Sequence, residues 1–146
     1  LVRETKTNWQ LWCYGTGPLY ENRTIHPQIV HKGFRQPGEI IQDIGEMGVF
    51  ILPSTFEPWG VAMQEYAAAG LPLLCSDAVG SAPVFLKEGD NGLLFPAGNK
   101  EAMKEAMKKI ISLTDQQLAA MGDRSTELAL QITPETWAKT LWEQMP

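Results

Sequence analysis

The chain has 146 residues, 44% of them hydrophobic and 20% charged, with a formal net charge of -5. That suits one globular domain with its own core, and the acidic balance argues against a general nucleic-acid binder, which carries a basic patch or stripe. Two cysteines are too few for a disulfide scaffold, no uncharged run, Tyr66 to Ser76 included, is long enough to span a bilayer, and the first residues lack the apolar stretch of a signal peptide.

The elements follow in chain order. Gln10 to Tyr14 is a short run of strand formers that stops at Gly15-Thr16-Gly17-Pro18. Ile29 to Phe34 reads as a second strand, ended by Arg35-Gln36-Pro37-Gly38. Glu39 to Met47 places Ile40, Ile41, Ile44 and Met47 at helical spacing. Gly48 to Pro53 is a continuous apolar run of the kind buried on both faces of a sheet. Trp59 to Ala69 reads as a helix stopped by Gly70 and Pro72, and Leu73 to Cys75 as the next strand. Ser81 to Lys87 is a short helix that tolerates Pro83 in its first turn, and Gly92 to Phe95 is a last strand. Asn99 caps an amphipathic helix with the stripe Ala102, Met103, Ala106, Met107, Ile110 and Ile111 and an expected Glu105–Lys109 pair on its wet face. Thr114 opens a helix with apolar positions Leu118, Met121, Leu128 and Leu130. Thr133-Pro134 opens another, carrying Trp137, Leu141 and Trp142. Cys13 and Cys75 lie in apolar runs and read as reduced core residues of a cytoplasmic protein. His26 and His31 are isolated and read as structural.

Alternating strands and helices argue for an α/β fold, a doubly wound parallel sheet with C-terminal helices. Ligands of such sheets bind at the carboxyl ends of the strands. The loops at Gly15-Thr16-Gly17, Phe34-Arg35 and Glu57 all follow strands, so all three are expected there.

The stretch from Pro53 to Glu65 carries the chemistry. Glu57 and Glu65 stand eight positions apart, and Glu65 is the only charged residue between Glu57 and Asp77. A carboxylate in so apolar a segment is costly without a partner; hydroxyl groups of a ligand would supply one. A helix beginning near Trp59 would point its first amides, Gly60 to Met63, and its positive dipole end at an anion such as a diphosphate. Gly60 has no side chain to keep a phosphate away. Glu65 would lie roughly 8–9 Å further along the axis. A sugar diphosphonucleoside is long enough to put its hexose near Glu57 and its ribose near Glu65. The plainer readings are Glu57 as a capping residue, Glu65 as a carboxylate paired with a nearby Arg, Arg35 as a surface residue, and Gly15-Thr16-Gly17 as a simple turn.

From about Gln10 to Trp142 the chain resembles the C-terminal half of GT-B-fold retaining glycosyltransferases (group 1, family four). The matching residues are Gly15-Thr16-Gly17-Pro18, Gly33-Phe34, Pro53-Ser54, Glu57 with Glu65, Gly70-Leu71-Pro72, Gly80 and Asn91 to Pro96, in that order. The resemblance implies a Rossmann-like half of a GT-B fold, with residues 1–146 as a single nucleotide-sugar-binding domain. It implies Glu57 as the catalytic residue at the donor sugar and Glu65 as the ribose ligand. The amides of Gly60 and Val61 would contact the diphosphate beside Trp59, with Gly15 and Thr16 nearby, and Phe34 and Arg35 would line the base pocket.

It further implies transfer of a glycosyl group with retention, in polysaccharide or glycoconjugate synthesis, without metal or cofactor. The partners would be a nucleotide sugar, an acceptor glycan or lipid-linked glycan, and an N-terminal GT-B domain. The protein would be cytoplasmic or peripheral at the inner membrane face. The chain starts at Leu1 rather than Met, and the basic pair such enzymes use to neutralise the leaving diphosphate is not reproduced by Arg3 and Lys6. The chain is therefore expected to be part of a longer enzyme and inactive alone. Other departures are Trp59 where Phe is commoner, and Ser81 and Val84 where a second Gly and a Glu are usual. Trp137 and Trp142, if left exposed, would favour self-association. The rival readings are another GT-B enzyme, such as a sucrose-forming synthase, and a non-catalytic α/β binding or interaction module. A phosphoacceptor receiver domain is excluded by the absence of a carboxylate from Gln10 to Gly15.

Overall fold

The computed structural model describes residues 7–145; Arg3 and Lys6 lie outside them. The chain divides into two compact units, Leu1–Glu46 and Met47–Pro146. Each is built on its own parallel ladder, with two strands in the first unit and three in the second.

In the first unit β1 (Leu11–Tyr14) pairs with β2 (Ile29–Gly33), with Leu11 opposite Ile29 and Trp12 opposite Val30. A single 3-10 turn, Tyr20–Asn22, interrupts the connection, which the sequence pattern does not signal. The helix α1 (Pro37–Ile44) starts with Pro37 and a reciprocal cap between Gln36 and Glu39. Asp43 on α1 ties it to both strands: Tyr14 Oη donates to its carboxylate at 2.8 Å, and Lys32 Nζ lies 3.2 Å away. The same ammonium sits 3.8 Å from the centre of the Trp12 ring. The Tyr14 hydrogen bond, helped by Lys32, holds the Asp43 carboxyl below its ordinary value against the opposing effect of burial.

In the second unit β3 (Phe50–Leu52), β4 (Leu73–Ser76) and β5 (Gly92–Phe95) form a sheet in that order. Helix α2 (Val61–Ala68) and the short α3 (Ala82–Phe85) make the crossovers. Three helices follow: α4 (Lys100–Ile111), α5 (Asp115–Ala129) and α6 (Pro134–Gln144). Alternate residues of β4 serve two cores. Leu73 and Cys75 join Met63, Ala67, Val79, Phe85 and Ala129, while Leu74 joins Phe95 and Ala106. The sheet is thus covered on both faces, as the alternating pattern requires. The strand buried throughout is β4, whereas the expected one, β3, is half-buried. The reason is position: β3 is an outer strand of the three and β4 the middle one.

The C-terminal caps follow the sequence. Asn99 accepts from the Ala102 amide, Thr114 from Gln117 and Thr133 from Thr136. Glu105 pairs with Lys108 at 2.8 Å, one residue short of the expected Lys109. Leu130 is not a core position of α5; it is the residue at which the helix ends, and it is exposed. Trp137, Leu141 and Trp142 on α6 are also exposed. On β5, Asn91 and Phe95 turn their carbonyls to β4, so the Leu94 amide points off the sheet. It donates to the Glu88 carboxylate at 2.6 Å.

Cys13 and Cys75 are both free thiols. Burial raises both, Cys75 to about 12, with Glu88 and Asp77 adding to it there. Asn91 is fully buried and satisfied: its Nδ2 donates to the Phe85 carbonyl (2.9 Å) and to Ser125 Oγ (3.0 Å), and its Oδ1 accepts from the Lys87 amide (2.7 Å). No helix among the described residues is long and apolar enough to cross a membrane.

Two predictions follow from these ties. Asn91→Ala strands three buried or half-buried partners, so urea unfolding should show a loss on the order of 3 kcal/mol. Because the folded Asp43 pKa is depressed, its contribution is present above the ordinary carboxyl value near ~3.9 and is lost as pH falls through the folded one. The stability gap between the unsubstituted protein and Asp43→Asn should therefore close as pH falls from the ordinary carboxyl value through the lower folded one. A gap that does not change with pH would remove Asp43 from this role.

Candidate functional site

In the second unit, the loop from β3 to α2 carries Glu57, Trp59 and Gly60. Helix α2 starts at Val61, two residues later than Trp59, because Gly60 occupies its N-cap in the left-handed region (φ 87°). Only glycine fits there without strain. The space is closed as well: a Cβ at Gly60 would lie 3.1 Å from Glu57 Cγ and 3.1 Å from Val79 Cγ1. The stem of Glu57 therefore lies against the N-cap of the helix. No side chain caps this helix. The amides of Val61 and Ala62 find no acceptor among the described residues, as expected of a first helical turn.

Glu57 is half-buried and Glu65 exposed. Glu65 thus needs no partner to offset burial, contrary to the expectation from its apolar neighbours. Those neighbours divide by face: Met63 and Ala67 go into the core, and Tyr66 stacks on Phe50 with ring centres 4.1 Å apart. With the helix starting at Val61, Glu65 lies only about 6 Å along the axis from its first residue. Neither carboxylate is hydrogen-bonded or ion-paired among the described residues. The capping reading of Glu57 and the Arg-paired reading of Glu65 therefore have no contact to support them. Trp59 lies before the helix, 44% exposed, with the edge of its ring system toward Phe85 (centres 6.2 Å apart, 81° between planes). Phe56, next to Glu57, is 82% exposed.

A second loop, after β4, runs alongside. Glu57 forms a parallel bridge to Val79. Its amide donates to the Ala78 carbonyl (3.3 Å), and its own carbonyl accepts from the Gly80 amide (2.9 Å). The Ser81 amide reaches the Trp59 carbonyl (2.9 Å) and Ser81 Oγ the Gly60 carbonyl (3.3 Å). Ser81 carries no motif of its own. Its only signal in the sequence is the neighbouring Gly80, whose closeness to Pro58 no pattern reveals.

In the first unit, Gly15 and Thr16 follow β1 and line an open recess of about 370 Å³ together with Tyr14, Gly17, Pro18, Leu19 and Tyr20. Phe34, just after β2, is 68% exposed. Arg35 is held by Glu39 at 3.1 Å, which engages its guanidinium in the cap of α1. Among the described residues no three His, Cys, Asp or Glu side chains gather as a metal site would require.

A family model for "Glycosyl transferases group 1" matches residues 3–127. The chain is 27% identical over 120 residues to the lipopolysaccharide 1,6-galactosyltransferase of Escherichia coli, covering 76% of this chain and 33% of that protein. Its fold matches HepE of Anabaena, solved in complex with UDP-glucose (TM-score 0.76, 18% identity, 97% of this chain and 43% of that one). It also matches the pneumococcal O-GlcNAc transferase GtfA, solved with UDP and GlcNAc (TM-score 0.63, 27% identity, 80% of this chain and 24% of that one). The chain spans only 15–33% of the length of the first curated relatives it matches. With parallel sheets flanked by helices, GT-B neighbours and a family match over most of its length, the chain belongs to the group 1 glycosyl transferases.

Proposed function

We propose that this chain is the donor-binding, C-terminal half of a retaining hexosyltransferase that uses a nucleotide-diphosphate sugar. One observation carries the reading: two carboxylates with no partner among the described residues stand on either side of an uncapped helix N-terminus. That arrangement leaves acceptors for hydroxyl groups and donors for a diphosphate. The UDP and UDP-sugar complexes of the structural neighbours support the same ligand class.

In this mechanism the α2 amides at Gly60 and Val61 receive the diphosphate. Negative charge grows on it as the glycosidic bond breaks, and fixed donors aimed at developing charge lower the barrier most. Glu57 stabilises the positive charge that develops on the sugar. Glu65 accepts hydrogen bonds from the ribose diol. The acceptor, a glycan or lipid-linked glycan, is held by an N-terminal domain, and transfer belongs to the full-length protein in polysaccharide or glycoconjugate synthesis. No metal takes part, so EDTA should leave transfer unchanged.

Glu57→Gln in the full-length enzyme should lower kcat by at least about 100-fold, the scale for losing one fixed electrostatic group. Glu65→Ala should weaken binding of the nucleoside diphosphate by about 10- to 100-fold in calorimetric titration with UDP, GDP and ADP. A folded full-length protein that binds none of the three, nor their hexose conjugates, would leave the interaction-module reading in place of this one.

A further inference from the structure

We infer that Ser81 is a positioning residue of this donor site, gripping from behind the two peptide groups whose amides face the diphosphate. The inference rests on the donor-site reading above. A trans peptide is a rigid plane in which the C=O and N–H point in opposite directions. The Trp59 carbonyl shares its plane with the Gly60 amide, and the Gly60 carbonyl shares its plane with the Val61 amide. Ser81 holds both carbonyls, the first through its amide (2.9 Å) and the second through its hydroxyl (3.3 Å). One residue thereby sets the direction of two successive N–H groups and polarises both as donors.

The surroundings make the grip firm. Ser81 is fully buried, as is Val79 at 1% exposure. The turn is anchored on its far side too: the Asp77 amide donates to the Phe95 carbonyl (3.0 Å), and Asp77 Oδ1 accepts from the Ala97 amide (2.8 Å). At Gly80 a Cβ would sit 2.0 Å from the Pro58 carbonyl oxygen, so the two loops meet with no room for a side chain between them. The hydroxyl has no other partner among the described residues, and the Gly60 carbonyl, which also accepts from the Met63 amide, would keep its helical bond without it. Removing the hydroxyl thus loosens the Gly60–Val61 peptide, which keeps only its helical bond to Met63, and leaves α2 in place.

The test compares nucleoside diphosphate with nucleoside monophosphate binding in the full-length protein, using UDP, GDP and ADP and their monophosphates. Ser81→Ala should reduce the preference for diphosphate over monophosphate about tenfold, the effect of one hydrogen bond. Ser81→Cys, nearly the same size with a weaker donor, should fall between. Thermal unfolding of each variant reads the structural contribution separately. A lower Tm with an unchanged diphosphate preference in both variants would overturn the positioning role while leaving the donor site standing. An unsubstituted protein silent toward all three diphosphates would overturn the donor-site reading and this inference with it.

Discussion

The backbone of Gly80 meets that of Pro58 with no space for a methyl group, and the candidate site depends on that approach. It joins the loops that follow β3 and β4 as a short stretch of sheet-like pairing, with Glu57 opposite Val79. Val79 can then enter the core beside Gly60, which forces Gly60 to be small and left-handed. That conformation in turn delays the start of α2 to Val61 and leaves its first amides uncapped. Each step is a consequence of sterics rather than of any strong individual bond. The hydrogen bonds between the loops are ordinary in length and work by number and direction.

The middle strand β4 plays the equivalent part for the second unit. Four residues buried on both faces give α2 and α5 one side and α4 the other. The cost of burying its polar Ser76 is offset by a hydrogen bond to the Ser54 carbonyl. That bond links the strand to the start of the Glu57 loop. The core and the site are therefore not separable layers: the same short strand ends support both.

Much of this was legible in the residues. Helical spacing, Pro and Gly punctuation and the caps Asn99, Thr114 and Thr133 located the helices, because these signals are local. The Glu57–Glu65 spacing and the glycines pointed to the site. What failed was non-local. Whether Phe50–Leu52 or Leu73–Ser76 is the enclosed strand depends on which becomes the middle one, and both are short, mainly apolar runs. The apolar surroundings of Glu65 suggested burial, yet helical geometry turns them inward and Glu65 outward. Ser81 stood out only as a departure beside Gly80, since its importance comes from carbonyls more than twenty residues away in the chain.

The outer strand β5 shows how a single carboxylate limits what a sheet does next. An outward amide on an edge strand is an invitation to another strand, from this chain or a foreign one. At Leu94 that place is taken by Glu88. An incoming strand would have to displace a charge-assisted hydrogen bond and bring its own carbonyl against a negative charge. Glu88 thus acts as a terminator for sheet growth. Its loss would leave the Leu94 amide open to an incoming strand.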